Sequence, residues 1–153
     1  MKDIIIRKAT FDDKNALLVF EQGVIHAERP FNPTLKESDI NYYDIDQMIS
    51  SEDIELLVAE SGGELIGSGY VRIENAKPYL KYTQYAYLGF MYVDPKYRGL
   101  GVNQKIIEEL KAWAASRGLT EFRLDVYQAN EPAIRAYEKA GFTGILVQMR
   151  MEN

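Results

Sequence analysis

The chain has 153 residues, 46% hydrophobic and 27% charged, which is enough to bury one core, and no cysteine, which excludes disulfides, thiolate metal sites and a cysteine nucleophile. Eighteen Lys and Arg stand against 23 Asp and Glu, a formal net charge of -5, so a nucleic-acid partner that would want a basic face is not expected. One histidine excludes a multi-histidine metal site, no apolar run is long enough to span a membrane, and the opening residues are too short an apolar run for a signal peptide. The expectation is one metal-free, soluble cytoplasmic domain over 1–153.

In chain order, Ile4 to Ala9 reads as a short strand of β-branched residues. Thr10 stands three before Asp13, as in a capping box, and Ala16, Leu17, Phe20 and Val24 continue at helical spacing. Pro30 and Pro33 end that helix, and a weaker helical pattern runs from Glu37 to Ile49. Ile54 to Glu60 and Glu64 to Ile73 form a hairpin across Ser61-Gly62-Gly63. After a loop, Thr83 to Val93 is a strand rich in tyrosine. Period-two alternation puts Tyr85 and Tyr87 on one of its faces and Tyr92 on the other. Gly89 on this strand marks either a bulge or packing room under an aromatic neighbour.

The strand leads through Asp94-Pro95 to Arg98-Gly99-Leu100-Gly101-Val102-Asn103-Gln104 and into an amphipathic helix with Val102, Ile106, Ile107, Leu110 and Trp113 on its apolar face. A helix N-terminus offers unpaired N–H groups and partial positive charge, glycines let an anion approach, and Arg98 adds a planar cation. Together they describe a seat for a phosphate or pyrophosphate, although a helix cap with glycines for the turn alone has the same pattern. A Rossmann fingerprint is excluded because Gln104 occupies the third glycine position, and a Walker A loop because Gly-Lys-Ser/Thr is missing. Gly118 closes the helix, Glu121 to Tyr127 is the next strand, and Asn130 with Pro132 starts a short helix that Gly141 ends. Phe142 begins a final strand pair that ends in Ile145 to Met151.

Tyr92-Val93-Asp94-Pro95-Lys96-Tyr97-Arg98-Gly99-Leu100-Gly101-Val102 resembles the acetyl-CoA-binding motif of the GCN5-related N-acetyltransferase (GNAT) superfamily: Arg or Gln, two residues, Gly, one residue, then Gly or Ala. Arg98 and Gly101 match, whereas Asn103 departs from the small residue expected. Asn130-Glu131-Pro132-Ala133-Ile134-Arg135-Ala136-Tyr137 through Gly141-Phe142 is similar to a second motif of that family. The resemblance implies an α/β fold around one mixed, mostly antiparallel sheet with helices on both faces, acetyl-CoA as cosubstrate, and a primary amine of a small molecule or peptide as acceptor. It also implies a cofactor site of Met91, Tyr92, Val93, Arg98, Gly99, Leu100, Gly101, Val102, Asn103, Gln104 and Asn130, with Tyr137 as general acid toward the leaving thiolate. Read without the family, Asn130 is an ordinary N-cap and Tyr137 an ordinary core residue.

Many family members carry a glutamate on the strand before the turn, but Tyr85-Ala86-Tyr87-Leu88-Gly89-Phe90-Met91 contains no carboxylate. The proton acceptor for the amine is therefore open among His26, Glu21, Glu28, a Tyr87 of lowered pKa, and water. A catalytically weak acyl-CoA sensor is the alternative reading. The carboxylate-rich span from Glu21 to Glu55 is either a rim attracting a cationic amine or a solvated surface, and the last apolar strand is a candidate for pairing across a homodimer.

Overall fold

The computed structural model describes residues 3–153 and contains a five-stranded sheet in which β1 (Ile4–Lys8), β2 (Ile54–Ser61), β3 (Glu64–Asn75), β4 (Gln84–Val93) and β5 (Phe122–Arg123) are neighbours in chain order. The first four strands pair antiparallel, and β5 runs parallel to β4. Helices α1 (Lys14–Glu28) and α2 (Ile45–Ser50) cover one face, while α3 (Val102–Ser116) covers the other and α4 (Glu131–Lys139) follows β5. This is the mixed, mostly antiparallel sheet with helices on both faces that the sequence predicts.

Two apolar layers hold the sheet. Ala59, Ile66, Val71, Ala86 and Leu88 meet Val102, Ile106, Ile107 and Leu110 of α3, and Leu56, Val58, Tyr70 and Phe90 meet Leu17 and Phe20 of α1 and Ile45, Met48 and Ile49 of α2. Because both faces are covered, β2 is a continuous buried run over Leu56 to Ala59 rather than an alternating one. At the start of α1 the Asp13 carboxylate accepts from the Thr10 N–H at 2.8 Å and from the two terminal Arg7 guanidinium nitrogens at 2.8 and 2.9 Å. That ion pair holds the Asp13 carboxyl below the usual carboxylate range.

Three elements differ from the sequence reading. The helix predicted over Glu37 to Ile49 shrinks to Ile45–Ser50 because the fully buried Glu21 carboxylate takes the N–H groups of Tyr42 and Tyr43 at 2.8 and 2.7 Å, and Asp44 then caps the helix through the Gln47 N–H at 3.1 Å. The strand predicted over Glu121 to Tyr127 pairs only at Phe122 and Arg123. The final strand pair does not form: residues 142–153 belong to no strand of the sheet.

A fourth difference shapes the site. Between Ser68↔Tyr92 and Tyr70↔Gly89 the β3–β4 register slips, so Phe90 and Met91 face the single residue Gly69. Phe90 adopts φ 53°, a left-handed conformation that costs a non-glycine residue about 1–2 kcal/mol. Its buried ring stacks on Tyr43 at 4.4 Å between centroids, and the Ser68 hydroxyl donates to its carbonyl at 2.9 Å. The extra residue reverses the alternation. Tyr92 therefore packs on the same face as Tyr87, not the opposite one, and stacks on Phe20 at 4.7 Å. Both readings of Gly89 hold: it adjoins the bulge, and a Cβ there would lie 2.2 Å from the Tyr70 ring. Ser68→Ala leaves a buried carbonyl without its donor, and urea unfolding should show a loss of about 1–3 kcal/mol; an unchanged midpoint would mean the bulge holds without that hydroxyl.

Candidate active site

The loop from β4 to α3 is built from capped turns. The Asp94 side chain accepts from the Lys96 N–H at 2.9 Å, and the following residues make a single 3₁₀ turn over Pro95–Tyr97. Gly99 and Gly101 then take φ 78° and 81°, and Gly101 is the N-cap of α3. A Cβ at either glycine would meet nothing within 4 Å, so packing does not require glycine there. The left-handed backbone does, and it leaves the outer side open to a ligand. The first intrahelical bond runs from the Lys105 N–H to the Gly101 carbonyl at 3.1 Å, so the N–H groups of Val102, Asn103 and Gln104 precede it and lack helical partners.

A groove of about 580 Å³ opens at this helix end. Val93, Arg98, Gly99, Gly101, Val102, Asn103 and Gln104 form one wall and Pro132, Arg135, Ala136 and Lys139 of α4 the other. The Gln104 side chain ties the walls by donating to the Ala136 carbonyl at 3.2 Å. Arg135 and Lys139, one helical turn apart, bring two cations to the side opposite Arg98. Neither was singled out from the sequence, although their i,i+4 spacing shows that they share a face. Leu100 stands exposed at the loop tip and does not line the groove. Met91 and Tyr92 turn their side chains into the two cores. What β4 presents to the groove at these positions is backbone.

That backbone is accessible because β4 and β5 diverge. They pair only at Ala86↔Phe122 and Tyr87↔Arg123, so from Leu88 to Val93 the β5 side of β4 has no strand partner among the described residues. Asn130 lies beyond β5, at the N-cap of α4, where its Oδ1 accepts from the Ala133 N–H at 3.4 Å. Its side-chain nitrogen is the group left for a ligand.

Tyr137 packs with the α3-side core and edge-on to Phe142, with ring centroids 6.0 Å apart. Burial first, and then the charge of Glu28, raise its pKa to about 12. Glu28 ends α1, which packs on the face of the sheet opposite α3. Desolvation raises the Glu28 carboxyl above its ordinary value. Tyr42, whose hydroxyl is buried beside Glu28 without a hydrogen bond of ordinary geometry, and Tyr43 are both pushed up, chiefly by burial.

The remaining base candidates separate clearly. Glu21, Ile25 and Glu28 share the inward face of α1, and His26 points outward and is exposed. Glu21 is occupied by the backbone of Tyr42 and Tyr43. Tyr87 is raised rather than lowered, by burial and by donating its hydroxyl to Asp125 at 2.8 Å. After α1, Asn32 donates to the Tyr127 hydroxyl at 2.8 Å, and Phe31 stacks on the Tyr127 ring. Among the described residues no cluster of three or more His, Asp or Glu is arranged to hold a metal, and no helix is long and apolar enough to cross a membrane.

Comparison with known proteins agrees with this geometry. A thialysine N-epsilon-acetyltransferase of Sus scrofa is 40% identical over 55 residues, 36% of this chain and 32% of that enzyme, so the chain matches about a third of that relative's length. A mutant protein of Bacillus halodurans superposes with a TM-score of 0.88 at 19% identity, covering 97% of this chain and 99% of the other. A predicted acetyltransferase of Clostridium acetobutylicum, solved with acetyl-CoA, does so with a TM-score of 0.74 at 20% identity, covering 98% and 96%. Both structural matches concern the fold. The model of the acetyltransferase (GNAT) family matches residues 22–142, most of the chain and every element that builds the groove, and the chain belongs to that family.

Proposed function

We propose that the protein transfers an acetyl group from acetyl-CoA to a primary amine by direct attack, with Glu28 as general base and Tyr137 as general acid. The observation that carries this reading is the groove at the N-terminus of α3 lined by Arg98, Arg135 and Lys139, together with a Glu28 carboxyl raised by desolvation whose charge acts on the protonated Tyr137 phenol. The pyrophosphate lies on the first N–H groups of α3, with Arg98, Arg135 and Lys139 supplying positive charge. The pantetheine arm enters between β4 and β5, where the backbone of Met91, Tyr92 and Val93 can hydrogen-bond it like an added strand, and the Asn130 amide donates from the other side. The family membership and the neighbour solved with acetyl-CoA support the choice of cosubstrate.

The chemistry is balanced by two proton transfers. The amine nitrogen attacks the thioester carbon and Glu28 accepts its proton. The C–S bond then breaks and Tyr137 gives its proton to the departing sulfur, yielding an amide and free CoA. A phenol with a pKa near 12 carries its proton at neutral pH. A carboxyl raised by desolvation is a stronger base than an exposed glutamate, and can take a proton as the attacking nitrogen becomes acidic. The acceptor is a small or peptide amine: Glu28 supplies negative charge and Tyr42, Tyr43 and Tyr127 supply aromatic walls, and the name of the thialysine relative points to the same class. A non-catalytic acyl-CoA sensor was favoured by the lack of a carboxylate on β4. Glu28, arriving from α1, weakens that argument.

Tyr137→Phe should lower turnover by about 10²- to 10⁴-fold with CoA affinity unchanged; equal loss of both in steady-state kinetics and titration calorimetry would point to a packing role. Arg98→Ala should weaken CoA binding by about 10- to 100-fold, more at low salt than at high. An unchanged affinity would remove the pyrophosphate assignment.

For Glu28 the pH dependence has a defined sign. Its folded pKa lies above the ordinary 4.5, so activity should fall as pH drops through that raised value. The unfolded chain releases this proton more readily, so charged Glu28 reduces folding stability at neutral pH. Glu28→Gln should lower kcat by about 10²-fold or more, remove the Glu28 inflection while leaving the limb set by deprotonation of the amine itself, and hold or raise the melting temperature. An unchanged inflection below the amine's own limb would assign the base elsewhere.

A further inference from the structure

Glu21 is a carboxylate in an apolar place. It is fully buried on the inward face of α1, and it does not line the groove at α3. Its Oε2 accepts from two successive N–H groups, Tyr42 at 2.8 Å and Tyr43 at 2.7 Å, while its Oε1 is buried without a partner among the described residues. Fold stability alone does not call for this. Burying a carboxylate costs free energy that two hydrogen bonds only partly offset, and a helix over Glu37 to Ile49 would satisfy the same N–H groups within its own turns.

What the arrangement achieves is placement. Tyr43 stacks at 4.4 Å on Phe90, the left-handed residue of the bulge, and meets Tyr70 edge-on at 6.1 Å. Tyr42 meets the Tyr43 ring edge-on at 5.8 Å and lies beside Glu28, which is seven residues and two helical turns beyond Glu21. The segment that carries these tyrosines, residues 32–44, is neither helix nor strand. It is also tied to α1 where Gln22 donates to the Ile40 carbonyl at 3.0 Å, and to the end of α1 where Arg29 donates to the Lys36 and Ser38 carbonyls at 2.7 and 3.0 Å. Those three bonds are exposed to competing water, whereas the Glu21 carboxylate is shielded from it.

We propose that Glu21 is a positioning residue for the transfer: from inside the core it sets Tyr42 beside Glu28 and Tyr43 against the bulge at Phe90, so that one buried carboxylate aligns the base and the bulged strand. The inference rests on the reading of Glu28 as the base. Reach, not charge, is what the role requires. Glutamine has the same reach, offers its carbonyl oxygen to both N–H groups, and puts its amide nitrogen where Oε1 already lacks a partner. Aspartate keeps the charge but is one methylene short, which draws the acceptor oxygen away from both.

The test compares Glu21→Asp with Glu21→Gln in the full chain, each checked for native circular dichroism. Glu21→Asp should lower kcat/KM for the amine by about 10- to 100-fold with CoA affinity in titration calorimetry unchanged, and Glu21→Gln should stay within about threefold of wild type in both. Ring NOEs between Tyr43 and Phe90 should persist in Glu21→Gln and vanish in Glu21→Asp. Wild-type kinetics in Glu21→Asp, equal losses in both variants, or a CoA affinity that falls in step with kcat/KM would overturn the proposal. A wild type that acetylates no amine is a failure of the catalytic reading instead, and the NOEs then decide whether Glu21 positions the two tyrosines. If Glu21→Asp does not fold, Glu21→Gln decides: near-wild-type kcat/KM supports the role of reach, and a loss of about 10-fold or more overturns it.

Discussion

The site depends on one local exception to regular strand geometry, the left-handed Phe90 held by the Ser68 hydroxyl and the Tyr43 ring. A strand that kept its alternation would turn Tyr92 toward α3 and Met91 toward α1. The bulge instead puts Met91 and Val93 with the α3 core and Tyr92 against Phe20, and it bends β4 just beyond the point where β5 stops pairing. The opening between the strands is thus a consequence of backbone geometry.

Charge is divided around that opening. On the α3 side, helix N–H groups stand with Arg98, Lys139 and an Arg135 that lies 3.9 Å from Glu131; on the α1 side, Glu28 stands among tyrosines. Desolvation acts on Glu28 and Tyr137 in the same direction. It raises both, which makes the carboxyl more basic and keeps the phenol protonated.

Much of this is legible in the sequence where local rules decide. Gly99 and Gly101 announce the turn because their positive φ is a local requirement, and Val102, Ile106, Ile107 and Leu110 announce α3 because its apolar stripe is regular. Elsewhere distant groups decide. Tyr42 and Tyr43 fall outside a helix because a carboxylate 21 and 22 residues earlier takes their N–H groups. Among Glu21, His26 and Glu28, only the phase of α1 against the sheet, together with what occupies Glu21, singles out Glu28. The face of Tyr92 could not be read because the bulge is set by contacts with Ser68 and Tyr43, and the strand pair expected after Phe142 does not form, because an alternating pattern does not itself supply an edge to pair with.

The most direct test of the account is a free-thiol release assay with acetyl-CoA against a panel of amines, namely polyamines, amino acids, aminoglycosides, and lysine or N-terminal peptides, with CoA binding followed on the same sample. The account predicts release that depends on one amine class and rises with pH as the amine and Glu28 lose their protons. Tight CoA binding with no release across the panel would contradict it and leave the groove as a binding site without the transfer.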